Sequence, residues 1–218
     1  YLAQYDTDLF NKWDVCQTLV MHYMQEELNL GNKIASDNFA DVVADLWSYQ
    51  LINKGNNNNF TSLFFTLPSE NELNEKLTIF QFEQVSQLCL SLVEKVAAKN
   101  SELFKTHFYK LIDDESSWSP KDVGIRKLKN RLQHFLIAAG DSDIISYART
   151  TIETSESMNQ QCTALCSLNR YNATAMNDCN EIFIRRNKHS SLSIDKWLAA
   201  LMLNSKTTDL SQKMTELM

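Results

Sequence analysis

Glycine and proline are scarce in this sequence, with four Gly and two Pro in 218 residues. Strands joined by tight turns use both heavily, whereas helix interiors avoid them, so the scarcity argues against a β-rich fold and for helix throughout. Long apolar runs are missing too. The longest, WLAALML from Trp197 to Leu203, is far shorter than the roughly 20 residues that span a bilayer. The first residues carry neither a basic nor an apolar block of the kind found in signal peptides. Positive charge is in deficit: the formal net charge is -6 and the sequence pI is about 5.2, which disfavours nucleic acid or an anionic membrane as a main partner. Catalytic signatures are absent as well. There is no G-x-S-x-G, no Gly-rich phosphate loop, no G-x-G-x-x-G, and none of the four His is followed by Glu, so H-E-x-x-H is missing. The reading therefore places no catalytic, cofactor-binding or metal-binding residue in this chain. Five Cys, an odd number in a chain large enough to bury a core without staples, fit a reduced, cytoplasmic setting better than a disulfide framework.

What is present is helical periodicity punctuated by caps. Asp8 has the acceptor side chain of an N-cap, and Leu9, Trp13, Cys16, Val20 and Tyr23 then recur at spacings of four and three, one apolar stripe of a helix. Gly31 breaks that helix. Ser36 starts the next, with Phe39, Val43, Leu46, Leu51 and Ile52 on one face, and Gly55 ends it. NNNNFTSLFFTLP reads as a short helix stopped at Pro68, after which Ser69 and Glu72 form a capping box. From Phe80 to Asp114 the pattern predicts one long helix or two abutting ones, with Phe82, Val85, Leu88, Leu92 and Val96 as the first stripe. A loop, DDESSW, leads to Ser119 at an N-cap, Pro120 at the first helical position and Asp122 at the third. That helix carries Ile125, Leu128, Leu132, Phe135 and Leu136 and ends at Gly140. DIISYARTTI, MNQQCTALCSL, AMNDCNEIFIRR, SIDKWLAALML and DLSQKMTELM follow with brief breaks.

Short connections between antiparallel helices build stacked pairs. The predicted class is all-α, a superhelical stack of antiparallel helix pairs of the HEAT or armadillo type, in a single helical domain over 1–218. A first residue that is Tyr1 instead of Met, and a last segment reaching Met218 without a capping Gly, give the expectation of a fragment truncated at both ends. Phe10 and Trp13 then stand at a candidate domain interface, since a stripe led by large aromatics needs a partner surface.

Other residues have plain structural readings. Cys162 and Cys166 lie four apart on one helical face, but a zinc site needs further Cys or His, so they read as core cysteines. RKLKNR, Arg126 to Arg131, reads as a solvated helix face, and Asp113, Asp114 and Glu115 as a solvated loop. Trp13, Trp47, Trp118 and Trp197 read as packing anchors. The sequons at Asn59 and Asn172 match chance expectation for an Asn-rich chain.

Several stretches carry a resemblance. LFNKWDVCQTL at Leu9 is similar to the opening of the C-terminal helical domain of bacterial aminopeptidase N, the alanyl aminopeptidase family of gluzincin zinc metallopeptidases, where a Phe, a basic residue, Trp and Asp stand in the same order. TLPSENEL at Thr66, GIRKLKNRLQHFLIAAGD at Gly124, MNQQCTALCSL at Met158 and IDKWLAALM at Ile194 resemble family stretches in family order. The resemblance implies a parent enzyme that removes N-terminal residues from peptides, with a catalytic Zn and a general-base Glu held outside this chain. This chain would be a non-catalytic domain that packs on the catalytic domain of the same polypeptide and limits access to its chamber. Its partners would be that domain and the peptide substrates, with no nucleic acid and no membrane. The alternative is a free-standing α-solenoid interaction scaffold.

Overall fold

The computed structural model describes residues 1–203 apart from Lys54, Asn56, Thr78, 115–119 and Asn172. Trp118, Ser119, Glu115, Asn172 and DLSQKMTELM, all singled out in the sequence, lie outside the described residues. The chain divides into two compact units, Tyr1–Phe135 and Leu136–Met218. Among the described residues there are helices and no strands.

The first unit holds α1 (Leu2–Tyr5), α2 (Leu9–Asn29), α3 (Asp37–Ile52), α4 (Asn58–Phe64), α5 (Glu70–Glu75), α6 (Phe82–Asp114) and the greater part of α7 (Pro120–Ala138). Helix starts follow their caps. The Asp8 carboxylate accepts from the Asn11 amide, the Ser36 hydroxyl accepts from the Phe39 amide, and Ser69 and Glu72 close both halves of the capping box. α6 is a single helix of 33 residues, roughly 50 Å long at 1.5 Å per residue.

Periodicity located the buried faces but overran their ends. Phe39, Val43, Leu46 and Leu51 of α3 and Val85, Leu88, Leu92 and Val96 of α6 are buried, while Ile52 and Phe82 are exposed. Both exceptions sit in a terminal turn, where the partner surface has run out. α4 ends at Phe64, short of Pro68, and Asp113 and Asp114 belong to the last turn of α6 rather than to a loop.

A polar seam sets the register of α3 against α6. The Ala35 amide donates to Ser91 Oγ (2.8 Å), Lys95 Nζ donates to Ala35 O and pairs with Asp37, Lys99 pairs with Asp41, and Asn100 Nδ2 donates to Ala44 O (3.0 Å). The partners advance in the same direction, so α3 and α6 run parallel. α2 and α3 are antiparallel, joined by a short turn and by Tyr23 stacked on Phe39 (5.1 Å). Deeper in, Trp47, Phe65, Phe104 and Phe135 form one aromatic cluster with ring centroids 5.0 to 6.0 Å apart, all fully buried.

The second unit begins at the end of α7, where Gly140 takes φ 79°. There the Gly140 amide donates to Ile137 O and the Asp141 amide to Leu136 O, the doubly bonded helix stop that glycine permits. α8 (Ser142–Thr154), α9 (Met158–Tyr171), α10 (Ala173–Asn187) and α11 (Ser191–Leu201) follow. Arg149 pairs with Asp178 and Arg186 Nη1 donates to Ile152 O, so α8 and α10 run parallel. Asn187 Nδ2 donates to Gln161 Oε1 and the buried Asn169 and Asn180 amides bond each other, so α9 runs antiparallel to α10. The second unit thus shows the local rule of a helical repeat array, with sequence neighbours antiparallel and second neighbours parallel, whereas in the first unit the parallel partner of α3 is α6, two short helices further on.

Candidate functional site

The opening of α2 presents an aromatic surface that the first unit leaves uncovered. Below Cys16 the α2 stripe is core: Cys16, Val20, Met24 and Leu28 are buried. Above it the stripe is open. Leu9 is 43% and Phe10 63% exposed, while Trp13 is half-buried with its ring 5.8 Å from that of Phe10. Tyr1, Leu2 and Tyr5 of the preceding short helix are also exposed, Tyr5 resting edge-on against Tyr49. This end of the unit is therefore an apolar surface with no cover of its own, a type of patch that usually marks an interaction site.

Trp13 also lines a groove of about 440 Å³ whose second wall is Leu63, Leu67 and Pro68 and whose rim carries Asp14, Glu72 and Lys76. Gln17 ties the walls together, its Nε2 donating to Thr66 O (2.8 Å). Periodicity found Phe10 and Trp13 because both lie on α2. It missed Leu63 and Leu67, which reach the same place only through the packing of α4 and α5 on α2. The Thr66–Leu73 stretch was the available signal, since it borders the groove. With an apolar wall and a rim of mixed sign, the arrangement suits binding a surface rather than bond-making chemistry.

Elsewhere the predicted residues separate. Cys16 and Cys179 are buried, and that burial pushes their thiols up to about 12 and about 11. Cys162 and Cys166 are half-buried on α9 rather than fully in the core. All five Cys are free thiols. The basic stretch is not the uniformly solvated face expected: Lys127 is exposed and donates to Asn59 Oδ1, but Lys129 is buried, because it stands at helical spacing from Ile125, Leu132 and Leu136 on the core face of α7. Trp47 and Trp197 are buried anchors. Among the described residues no three His, Cys, Asp or Glu converge as metal ligands, and no helix is long and apolar enough to cross a membrane.

No curated protein matches this sequence. Among solved structures, the crystal structure of Legionella pneumophila aminopeptidase A in complex with aspartic acid is similar, with a TM-score of 0.78 at 19% identity. The match covers 100% of this chain and 26% of that one, so the chain spans about a quarter of its structural relative. Its all-α helical-repeat class also agrees with a family defined by such repeats: residues 1–218 match throughout the family described as "Domain of unknown function (DUF3458_C) ARM repeats", and the chain belongs to that family.

Proposed function

We propose that this chain is the non-catalytic C-terminal helical domain of a zinc aminopeptidase, an enzyme that removes N-terminal residues from peptides in the cytoplasm. The observation that carries the reading is the whole-chain fit to a 26% portion of an aminopeptidase, supported by family-ordered stretches such as LFNKWDVCQTL and IDKWLAALM. On this reading the metal and the hydrolytic step belong to the rest of the polypeptide, and it is supported by the described residues, among which no three His, Cys, Asp or Glu converge as metal ligands. What this chain contributes is cover. Phe10 and Trp13, with the apolar groove behind them, pack on the catalytic domain, and the helical array restricts entry to its chamber. A reducing compartment accords with five free thiols.

The same exposed patch and groove support one other reading, a free-standing solenoid whose partner is a separate protein. The full gene decides between them: an H-E-x-x-H motif upstream, with hydrolysis of aminoacyl-anilides by the full-length protein, is the expected result. A complete gene lacking that motif overturns the aminopeptidase reading. The interface is tested separately by Trp13→Ala. Placed in the full-length protein it should cost about 3–5 kcal/mol, the loss for an aromatic in a closed interface, against roughly 1 kcal/mol in the isolated chain, where the half-open ring has less apolar area to lose. Equal losses in the two would remove Trp13 from the interface.

A further inference from the structure

The groove beside Trp13 is apolar inside and ionic at its mouth. The half-open Trp13 ring, Leu63, Leu67 and Pro68 form its walls, and its rim carries Asp14 on α2, Glu72 on α5 and Lys76 just beyond α5. Neither carboxylate is neutralised from within. The Ser69 hydroxyl (2.7 Å) and amide (2.9 Å) both donate to Glu72 Oε2. These bonds hold the carboxyl below its ordinary value, so Glu72 carries its charge near neutral pH. Among the described residues, Glu72 Oε1 accepts no hydrogen bond, Asp14 has neither a hydrogen bond nor an ion pair, and Lys76 forms an ion pair with neither acid. While the groove is open, water solvates both groups. Once a partner covers it, the two charges lose that water and need a counter-charge from the partner itself.

We propose that an arginine side chain from the catalytic part of the same polypeptide fills this groove, its stem along Trp13 and Pro68 and its guanidinium between Asp14 and Glu72.

This rests on the reading of the chain as one domain of an aminopeptidase, and the match to the structural relative takes up only 26% of that chain. Trp13 belongs both to the groove and to the exposed patch, its ring 5.8 Å from that of Phe10. A domain that covers Phe10 therefore reaches the mouth of the groove. The chemistry selects arginine. An aliphatic or aromatic plug would bury two unpaired carboxylates, an acidic one would add a third negative charge, and a lysine head offers one point charge to acceptors on two helices. The planar guanidinium spans both acceptors and stacks on an indole face. A volume of about 440 Å³, near the low end of the roughly 300–1,000 Å³ of ligand pockets, suits one long side chain and the turn that carries it.

The test places the photo-reactive residue p-benzoylphenylalanine at Leu63, 44% exposed on the groove wall, in the full-length protein, and maps the cross-linked peptides by mass spectrometry. Thr18, exposed on the α2 wall, serves as a second position, and circular dichroism checks that both variants fold. The expected product joins the groove to a segment of the same polypeptide outside residues 1–218 that carries an arginine. Replacing that arginine by Met should lower the urea midpoint of unfolding in the wild type, and lower it less in Asp14→Asn, the coupling expected of residues in contact. A cross-linked segment without arginine, a product with a second copy or a separate protein, no product from either position, or equal midpoint shifts in the two backgrounds overturns the contact. Hydrolysis of aminoacyl-anilides by the wild-type protein is measured alongside. Activity with any of those outcomes removes the arginine alone, whereas inactivity together with a gene lacking H-E-x-x-H removes the aminopeptidase reading as well.

Discussion

Glu27 is a buried carboxylate that the sequence pattern does not mark, because a Glu near a helix C-terminus ordinarily reads as solvated. Its burial follows from the turn after α2. The Asn32 amide donates to Glu27 Oε2 (2.7 Å) and the Ser36 backbone amide to Oε1 (3.2 Å), so one side chain ties the end of α2 to the start of α3. Burial pushes the carboxyl up, but the hydrogen bonds from Ser36 and Asn32, helped by the charge of Lys95, outweigh it and hold the carboxyl below the ordinary value of 4.5. A lowered folded-state value means that the ionised group stabilises the fold above the ordinary value, and that this stability is lost as pH falls through the folded-state value. Glu27→Gln should therefore cost about 1–2 kcal/mol near pH 7, in the range for hydrogen bonds to a charged group. Urea unfolding curves taken at descending pH should show the gap between the two proteins closing below pH 4.5. A gap that stays constant would remove the charge from the explanation.

Helix caps were the most legible elements, because a cap is a local bargain between one side chain and the orphan amides of its own helix. Asp8, Ser36, Ser69 with Glu72, and the stop at Gly140 all stand where the sequence placed them. What the sequence could not show is where a helix meets another. Gly124 illustrates this. It lies inside α7, where replacement by Ala would ordinarily gain about 1 kcal/mol of helix propensity. A Cβ there would stand 2.9 Å from the Asn59 backbone nitrogen and 3.1 Å from the Asn59 Cβ. The atoms in the way belong to the backbone turn of α4, not to a flexible tip, so the close approach of α7 to α4 needs the missing side chain. Crowding of this kind costs typically about 1–3 kcal/mol, enough to outweigh the propensity gain. Gly124→Ala should lower the urea midpoint of unfolding, and a raised midpoint would show that α4 can move aside.

At the scale of the whole molecule, helix content, core faces and half of the candidate site were readable, and pairing was not. Phe10 and Trp13 stood out because a single helix carries both. The wall formed by Leu63 and Leu67, and the parallel course of α3 beside α6, depend on residues some 50 to 60 positions apart, beyond the reach of any local period. One feature of the packing also equips the chain for optical measurement. Trp47, edge-on to Phe135 at 5.0 Å, is shielded within Tyr1–Phe135, and Trp197 is shielded within Leu136–Met218, at 1% and 4% exposure respectively. Among the described residues each unit thus holds one indole away from water, and such indoles emit toward the blue and resist quenching by iodide. With Trp13 and Trp118 also replaced by Phe, Trp47→Phe should leave a protected fluorophore reporting on the second unit alone, and Trp197→Phe one reporting on the first, so that unfolding followed in the two variants reads whether the units melt as one transition or as two. Iodide that quenches all emission from the folded protein would contradict the burial of both rings.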